Sequence, residues 1–348
     1  MVALAIITAN SFAQVQSDIQ SATLIHGDKT SVYYGITALN SAYEEAEDGD
    51  VIVLSAGIFG GVSYGAPTIR KSITIYGAGY EEDPVSNMQP TLIYSPLWID
   101  DAIDDTDADN IVHTSPVVRI EGVSSSLRIN SNIKNLVVRK CKMTVMIDGE
   151  TTNCTFSQCV IHQINRPGSV YSYTLKHQTG LNFENCWINF PAGGPLGSGI
   201  TYNHCIIRSD WSSGSKPYGT YDVGYAHFTN SIVYGGFSDT SHSTGDYNIL
   251  PFKAEYLSGV GNWEGVSADA IWAVEGEDGT YAATKSFALL HPELYVGSDG
   301  TEIGINGGNA PFNRISPIPR ILDADVDIRT AADGKLNVNF KVEAQTKE

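Results

Sequence analysis

Residues 136–143 read LVVRKCKM, and four further copies of the same pattern follow before residue 234. The later copies are CTFSQCVI at 154–161, LNFENCWI at 181–188, ITYNHCII at 200–207 and AHFTNSIV at 226–233. In every copy the first, third, sixth and eighth positions are apolar or small, and the fifth position is polar. In each copy, apolar and polar residues therefore alternate over the first four positions, and this alternation is interrupted after the fifth residue.

The alternation at the start of each copy is typical of a half-buried β-strand. The polar fifth residue is followed at once by another inward residue, so the chain must turn there. Two short strands that meet at such a corner cannot bury a face alone and must stack on the next copy, and the period of about 22 residues fits a solenoid. The sequence thus predicts an all-β fold, a right-handed parallel β-helix. A helical repeat of similar length is the alternative, but Val, Ile, Phe, Thr and Asn at period two favour strands.

Two sets of equivalent positions follow from this register. The fifth positions form a polar corner ladder in which a left-handed backbone is tolerated; they are Lys140, Gln158, Asn185, His204 and Asn230. The sixth positions form an inward stack of small side chains; they are Cys141, Cys159, Cys186, Cys205 and Ser231. The structural role of His204 in the ladder outweighs a catalytic one.

The five cysteines, which include Cys154 at an inward first position, raise the question of disulfides. Equivalent positions on stacked coils have parallel Cβ vectors, which do not suit a disulfide. Small buried thiols pack well in a core. We therefore predict reduced core cysteines, and without a close C-x-x-C pair we expect no zinc site.

The composition excludes some classes of function. The chain has 348 residues, 42% of them hydrophobic, and a formal net charge of −18. Because phosphate binding needs a basic face, nucleic acid is excluded as a partner. The charge also disfavours a polyanionic polysaccharide that is held without a metal ion. No run of about 20 apolar residues is present, so we predict no transmembrane segment.

The first 13 residues are typical of a secretory signal peptide. Residues 1–8 are uncharged and mostly apolar, and residues 9–13 offer a small-residue cleavage site after Ala13. The basic residues that begin such peptides are missing, so we expect the natural start to lie upstream of Met1. A buried N-terminal strand is the alternative. The expected location is outside the cytoplasm, either secreted or at the cell surface.

Residues 14–316 are predicted to form one solenoid domain, which an acidic insertion at 81–116 interrupts. An amphipathic helix that ends at Asp48-Gly49 caps its N-terminal end. The register fades after residue 235, and residues 240–280 give no clear coil. Residues 317–348 form a C-terminal appendage, in which alternating apolar and polar residues predict a β-hairpin.

Two segments before the repeat carry a family resemblance. DGDVIVLSAGIFGG at 48–61 follows the predicted cap helix, and IRKSITIYGAGY at 69–80 precedes the Asn- and Cys-cornered coils. Together they resemble the pectin-lyase-like β-helix superfamily and are most similar to secreted β-helix proteins of Bacteroidetes-type bacteria without assigned function. The resemblance covers nearly everything after the signal peptide. It implies the fold but no single activity, since that superfamily includes lyases, glycosidases, esterases and adhesins.

The acidic insertion offers a candidate metal site. Asp105, Asp107 and Asp109 present carboxylates on alternate residues, as a calcium loop begins. Asn110 stands where the sharp-turn glycine belongs, and Pro116 stands where a bidentate glutamate belongs. Calcium is thus the one cofactor that the sequence suggests, and a solvated acidic loop is the alternative.

An aromatic surface is the candidate site for carbohydrate. It combines an outward repeat position with a loop rich in aromatic residues and glycine; its residues are Trp187, Trp211, Tyr218, Tyr221, Asp222 and Tyr225. Sugar rings stack on aromatic faces, and the aspartate could bind hydroxyl groups. The alternative is that these rings pack only against their own coil.

No catalytic set is recognisable. Glycoside hydrolysis needs two carboxylates across the scissile bond, but the Asp doublets at 100–101 and 104–105 lie in the insertion. Lys176, His177 and Arg139 are candidate bases for lyase chemistry, and none has an acidic cluster in the same register.

Three hypotheses remain open at this point. The first is a secreted or cell-surface protein that contacts polysaccharide without catalysis. The second is a polysaccharide lyase or glycoside hydrolase with an unusual residue set, and the third is a structural or adhesive surface protein.

Overall fold

The fold is known from a computed structural model. It describes residues 20–83, 87–104, 112–164, 175–208, 220–221, 224–234, 236–237, 242–251, 257–315, 318–326, 334–335 and 338–343. The predicted signal peptide and the predicted calcium ligands Asp105, Asp107 and Asp109 lie outside these residues.

The described part of the chain is all-β and is dominated by two long sheets of 12 strands each. The first sheet consists, in spatial order, of Lys29–Tyr34, Ser21–His26, Val51–Leu54, Thr74–Tyr76, Val118–Glu121, Leu136–Arg139, Thr151–Ser157 with Ile133–Lys134 beside it, Thr179–Glu184, Ile200–Asn203, Ala226–Thr229 and Thr244–Asp246. The second consists of Trp263–Glu264, Ile249–Leu250, Ile232–Val233, Ile206–Arg208, Trp187–Asn189, Val160–Ile164, Lys142–Ile147, Ser124–Ile129, Thr91–Ile93 and Gly57–Phe59, with Leu97–Ile99 and Thr68–Ile69 extending it beside Ser124–Ile129.

Strands of the two sheets alternate along the chain, as a stacked coil requires. Ile200–Asn203 lies in the first sheet and Ile206–Arg208, two residues later, lies in the second. Each strand pairs in parallel with the equivalent strand of the neighbouring coil, for example Tyr202 with Phe228. Apart from the antiparallel pairing at the N-terminal edge, the long sheets are parallel. This topology is consistent with the predicted solenoid.

The third positions of the repeat build the centre of the core. Phe156, Phe183, Tyr202 and Phe228 are all fully buried. Their rings stack in that order with centroid distances of 5.1, 4.9 and 4.9 Å. Burial of each such ring contributes about 1.5–3 kcal/mol of hydrophobic free energy, so the aromatic stack is a main source of stability.

The predicted thiol stack is confirmed. All five cysteines are buried and none forms a disulfide. Burial raises the pKa of the Cys141, Cys159 and Cys186 thiols well above the ordinary value. The thiols therefore stay protonated and act as small core side chains.

The predicted corner ladder is also confirmed, because every fifth position has a left-handed backbone. The φ angles are 49° at Lys140, 53° at Gln158, 50° at Asn185, 50° at His204 and 52° at Asn230.

Parallel strand pairing continues beyond residue 235, into the part of 240–280 where the sequence shows no clear coil. Thr244–Asp246 joins the first sheet, and Ile249–Leu250 and Trp263–Glu264 join the second. Tyr247 with φ 55° and Gly261 with φ 69° occupy two further corners of the same kind. The inward residues that follow them are Asn248, which is fully buried, and Asn262. Asn248 is hydrogen-bonded to the Ser231 nitrogen at 3.0 Å and to Asn262. Inward asparagines, satisfied by each other and by the backbone, hid the apolar pattern in the sequence.

The N-terminal cap contains the predicted helix, which runs over Ala38–Glu45 and buries Leu39, Ala42 and Tyr43. Lys71 Nζ donates hydrogen bonds of 2.7–3.0 Å to three carbonyl oxygens at its C-terminal end. A cation is favourable there because the last carbonyl groups of a helix form the negative end of its dipole. A second, short helix runs over Ala268–Ile271. Neither helix in the described residues is long and apolar enough to cross a membrane.

The predicted interruption at 81–116 needs correction. Thr91–Ile93 pairs with Gly57–Phe59, and Leu97–Ile99 pairs with Ser124–Ile129, so both strands belong to the second sheet. Within this segment, Ala102–Asp104 pairs antiparallel with Val112–Thr114 as a separate two-stranded sheet.

Two further strand pairs lie outside the long sheets. At the C-terminus, Arg320–Val326 pairs antiparallel with Val338–Glu343, as the alternation predicts. Thr220–Tyr221 pairs in parallel with Gly236–Phe237.

Candidate functional site

The outer face of the second sheet is apolar and covered. Its outward positions in successive coils are at most 3% exposed; they are Val160, Trp187, Ile206, Ile232 and Ile249. Residues 265–312, here called the C-terminal cover, pack on this face and add Ile271, Trp272, Phe287, Leu289, Tyr295, Ile303 and Ile305 to one apolar cluster. This cluster is separate from the core inside the coils.

Trp187 was predicted to offer a sugar-stacking surface, and the structure corrects this. Its side chain points outward from the coil but is only 3% exposed. The indole nitrogen donates to the Gly279 oxygen at 2.8 Å, and the ring lies 5.6 Å from the Tyr281 ring. The cover therefore occupies the position that a sugar would take. The run of apolar residues at outward positions was the signal for such a cover.

The corner ladder is covered as well, by residues 297–311, here called the strap. Gln158 Nε2 donates to the Ala310 and Pro311 oxygens, and Asn185 Nδ2 donates to the Ile305 and Gly307 oxygens, at 2.7–3.1 Å. The Ser298 nitrogen donates to Asn230 Oδ1 at 2.8 Å. The strap thus runs back along the ladder, from a late coil to an earlier one.

His204 joins the ladder to the strap. It is 1% exposed, with Nε2 2.9 Å from Asp299 Oδ2 and Nδ1 3.2 Å from the Gly304 oxygen. Partial burial acts to raise the pKa of Asp299, but hydrogen bonds from Thr301 and His204 hold that pKa below its ordinary value. Both ring nitrogens are engaged within the protein, so the structural role predicted for His204 fits this geometry.

The outer face of the first sheet is different, because it is polar and partly exposed. One row of neighbouring outward side chains consists of Arg119, Val137, Thr155, Asn182, Thr201, His227 and Thr244. The adjacent row consists of Glu121, Arg139, Ser157, Glu184, Asn203, Thr229 and Asp246. All of these side chains except Glu121 are at least partly exposed.

The candidate bases of the sequence analysis lie on or near this polar face. Arg139 stands between Glu121 and Ser157 in the second row. Lys176 and His177 are exposed and precede the strand Thr179–Glu184.

A pocket of about 290 Å³ opens at the C-terminal end of the polar face. Its walls come from one turn and three neighbouring strands of the first sheet; the lining residues are 197–201, 225–227, 242 and 244. The rings of Tyr225 and His242 stack at 5.3 Å between centroids. Both residues have left-handed backbones, with φ 48° and 50°, so a second series of corners holds this ring pair in place.

One residue of the pocket lining has a polar atom without a partner. Ser198 Oγ is buried from solvent and has no hydrogen-bond partner among the described residues. It lies beside Gly194, 2.5 Å from the position that a Cβ would take there, and has no surface open to the pocket. Thr201, in contrast, is partly exposed in the lining and donates to Asn182 Oδ1 at 2.7 Å.

His227 is held by two neighbours on the next strand. Its Nδ1 lies 2.7 Å from Thr244 Oγ1, and its Nε2 lies 3.5 Å from Asp246 Oδ2. The Val260 nitrogen donates to Asp246 Oδ1 at 2.8 Å and fixes that carboxylate. The imidazole is thus oriented between a hydroxyl and a carboxylate.

The structure brings together only part of the predicted carbohydrate site. Tyr225 lines the pocket, and Tyr221 lies in a strand nearby in sequence. Trp211, Tyr218 and Asp222 lie outside the described residues.

The sequence analysis missed Ser198, His227 and His242. The aromatic content of the loop pointed to Tyr225, whereas the other three residues come together only through the stacking of coils.

A metal site is not formed by the described residues, which contain no group of three or more potential ligands. The predicted calcium loop remains a prediction.

Comparison with known proteins identifies no relative. No family model matches the chain, and no curated protein or solved structure matches it either. The resemblance to the pectin-lyase-like superfamily therefore stays a prediction, and the function has to be argued from the site.

Proposed function

We propose that this protein is a secreted or cell-surface β-helix protein that binds polysaccharide in the pocket on its first sheet. The proposal includes a closed, right-handed coil of the pectin-lyase-like kind and the removal of residues 1–13 as a signal peptide. The alternating, mostly parallel sheets support the coil, and the apolar start of the sequence supports the export.

The observation that carries the proposal is the stacked pair Tyr225–His242 in the lining of a polar pocket. A sugar ring presents an apolar face to an aromatic ring and hydroxyl groups around its edge. The pocket offers both kinds of partner, since Thr201, Thr244 and His227 also line it. Its volume of about 290 Å³ is just below the range of pockets for drug-sized ligands, about 300–1,000 Å³, which suits one sugar unit of a longer chain.

The polar rows favour a polymer over a free monosaccharide. They lead away from the pocket along the sheet, with strands about 4.8 Å apart. A polysaccharide bound in the pocket could therefore continue over Asn182 and Thr155, where polar atoms remain accessible. The net charge of −18 repels polyanions, which favours a neutral polymer.

Affinity electrophoresis in gels that contain neutral polysaccharides tests the proposal. The Tyr225→Asn variant removes the ring but keeps a residue that tolerates the left-handed backbone. Loss of an aromatic contact of about 1.5 kcal/mol should weaken retention roughly tenfold. Tyr247→Asn is the matched control, because Tyr247 has φ 55° and lies outside the pocket lining.

Two results would contradict the proposal: no retention of the wild-type protein in any gel, or equal retention of the two variants. Running the same gels with calcium and with a chelator tests the predicted calcium loop at 105–109.

A further inference from the structure

We propose that the pocket also hydrolyses small acyl esters, with Thr244 as nucleophile, His227 as general base and Asp246 as the residue that positions His227. This inference rests on the proposed function, since the ester would be an acyl group carried by the bound polysaccharide. The sequence gives no hint of this set, because His227 lies on one coil and its two partners lie on the next.

The register of the first sheet creates the arrangement. His227 is directly opposite Thr244, and Thr229 is opposite Asp246. Residues two apart on a strand share a face, so the imidazole lies between the hydroxyl and the carboxylate on one surface. The Nδ1 to Oγ1 distance of 2.7 Å is within hydrogen-bond reach, and the 3.5 Å between Nε2 and Asp246 Oδ2 is looser. A hydroxyl nucleophile that is hydrogen-bonded to a base, which a third group orients, is typical of an activated hydroxyl. The hydrogen bonds within such sets are often longer when no substrate is bound.

The groups are accessible to a substrate. The side chains of His227 and Asp246 are 39% and 35% exposed, and Thr244 is exposed. Thr244 and His227 both line the pocket in which the polysaccharide is proposed to bind. An acyl group on a bound sugar would therefore meet the hydroxyl directly.

The reaction requires the His227 tautomer with hydrogen on Nε2, directed at Asp246. Nδ1 then accepts the Thr244 proton while Oγ1 attacks the ester carbonyl. The carbon–oxygen bond to the sugar breaks, and the sugar oxygen takes the proton from Nδ1. Water next attacks the acyl-threonine with His227 again as base, which releases the carboxylic acid and restores the Thr244 hydroxyl. No reactant other than ester and water is needed.

Hydrolysis of p-nitrophenyl acetate, together with mass spectrometry of the peptide that contains Thr244, tests the inference. The Thr244→Val variant keeps the β-branched shape of the side chain and removes the hydroxyl, so the rate should fall at least about a hundredfold and the acetylated peptide should vanish. Thr244→Ser should retain hydrolysis. Thr144→Val, on the second sheet and away from the pocket, is the control and should hydrolyse at the wild-type rate.

Asp246 is tested by separating kcat from KM and by rescue with a second carboxylate. The Asp246→Asn variant should lower kcat more than it changes KM, because the amide no longer orients His227 for proton transfer. Asp246→Glu should recover part of the rate. A merely structural role would lower the rate of both variants alike.

The result that overturns the inference is hydrolysis by Thr244→Val at the wild-type rate, or the absence of hydrolysis and acetylation in the wild-type protein. Retention of the wild-type protein in polysaccharide gels separates the two proposals. Retention of the wild type, together with loss of hydrolysis in Thr244→Val, supports both proposals. Hydrolysis by a wild-type protein that no gel retains contradicts polysaccharide binding alone.

Discussion

The two long sheets share one repeat, yet their outer faces have opposite character. The second sheet presents Ile206 and Ile232, which the C-terminal cover buries, whereas the equivalent stretch of the first sheet presents Thr201 and His227 at an open pocket. The inward positions of the five repeat copies are apolar or small on both sheets. The comparison teaches that the outward residues, not the core, decide which face folds against its own chain and which remains available to a ligand.

The two series of left-handed corners differ in the same way, since one is covered and the other is open. Four fifth-position corners are left-handed and lie buried beneath the strap; they are Gln158, Asn185, His204 and Asn230. A second left-handed series contains Asn135, Asn153, Gly180, Tyr225 and His242, and its last two members form the wall of the pocket. The same left-handed backbone conformation therefore occurs under the strap at one corner and in the pocket lining at the other.

The largest expected effect is on the covered face. Ile206→Asp places an unpaired charge beneath the cover and should lower the free energy of unfolding by about 4 kcal/mol or more. Thr155→Asp, on the open face, should change it by less than about 0.5 kcal/mol. Urea unfolding followed by circular dichroism measures both. Equal effects of the two variants would show that the two faces do not differ in burial.

The next effect concerns the close approach of the strap. A Cβ at Gly307 would lie 1.8 Å from the Glu302 oxygen and 2.7 Å from His204 Nδ1. Gly307→Ala should therefore displace the strap, lower the free energy of unfolding by about 2–3 kcal/mol and make the strap sensitive to limited proteolysis. Gly65→Ala is the control, since nothing lies within 4 Å of its Cβ position. If both variants are cleaved at the wild-type rate, the close packing of the strap at Gly307 is contradicted.

A smaller effect is expected from the His204–Asp299 pair at low pH. The folded pKa of Asp299 is below its ordinary value, so its stabilising contribution is present above the unfolded pKa of about 3.9 and is lost as the pH falls through the folded pKa. The carboxylate side chain is 39% exposed, so screening limits the contribution to below about 1 kcal/mol.

Thermal melts of wild type and Asp299→Asn between pH 2 and 7 measure this contribution. The difference in melting temperature should be largest near neutral pH and shrink towards the acid end. A difference that is constant across the range would show that the ion pair does not contribute.

The smallest expected effect is that of a reductant. Because no disulfide joins the five buried cysteines, a reducing agent should leave the melting temperature unchanged. A thiol reagent should label no cysteine in the native protein and all five after unfolding. A drop in melting temperature with reductant would contradict the thiol stack.

The features that could be predicted from the sequence are those that depend on a short, local pattern of residues. Alternation and the polar fifth residue, as at Asn185, are properties of eight consecutive residues, and they placed the parallel strands, the corner ladder and the buried thiols correctly. The contacts of the cover could not be read in this way, since Trp187 meets Gly279 across 92 residues of sequence. The polar inward residue Asn248 concealed a late coil, because its hydrogen bonds come from neighbouring coils.

The pocket was predictable only in part for the same physical reason. Tyr225 stood out as an aromatic residue in a candidate loop. The neighbours of His227 follow from the pairing of its strand with Thr244–Asp246, and this pairing depends on the coil that the sequence concealed. Ser198 carried no signal, because a missing hydrogen-bond partner is a property of the folded chain.

Hydroxyl-radical footprinting with and without a neutral polysaccharide tests most directly the claim that one face is open to a ligand and the other is covered. We predict that the polysaccharide protects Tyr225 and His242, while Trp187 is unreactive in both states. Modification of Trp187 in the free protein, or protection elsewhere with Tyr225 unchanged, would contradict the account.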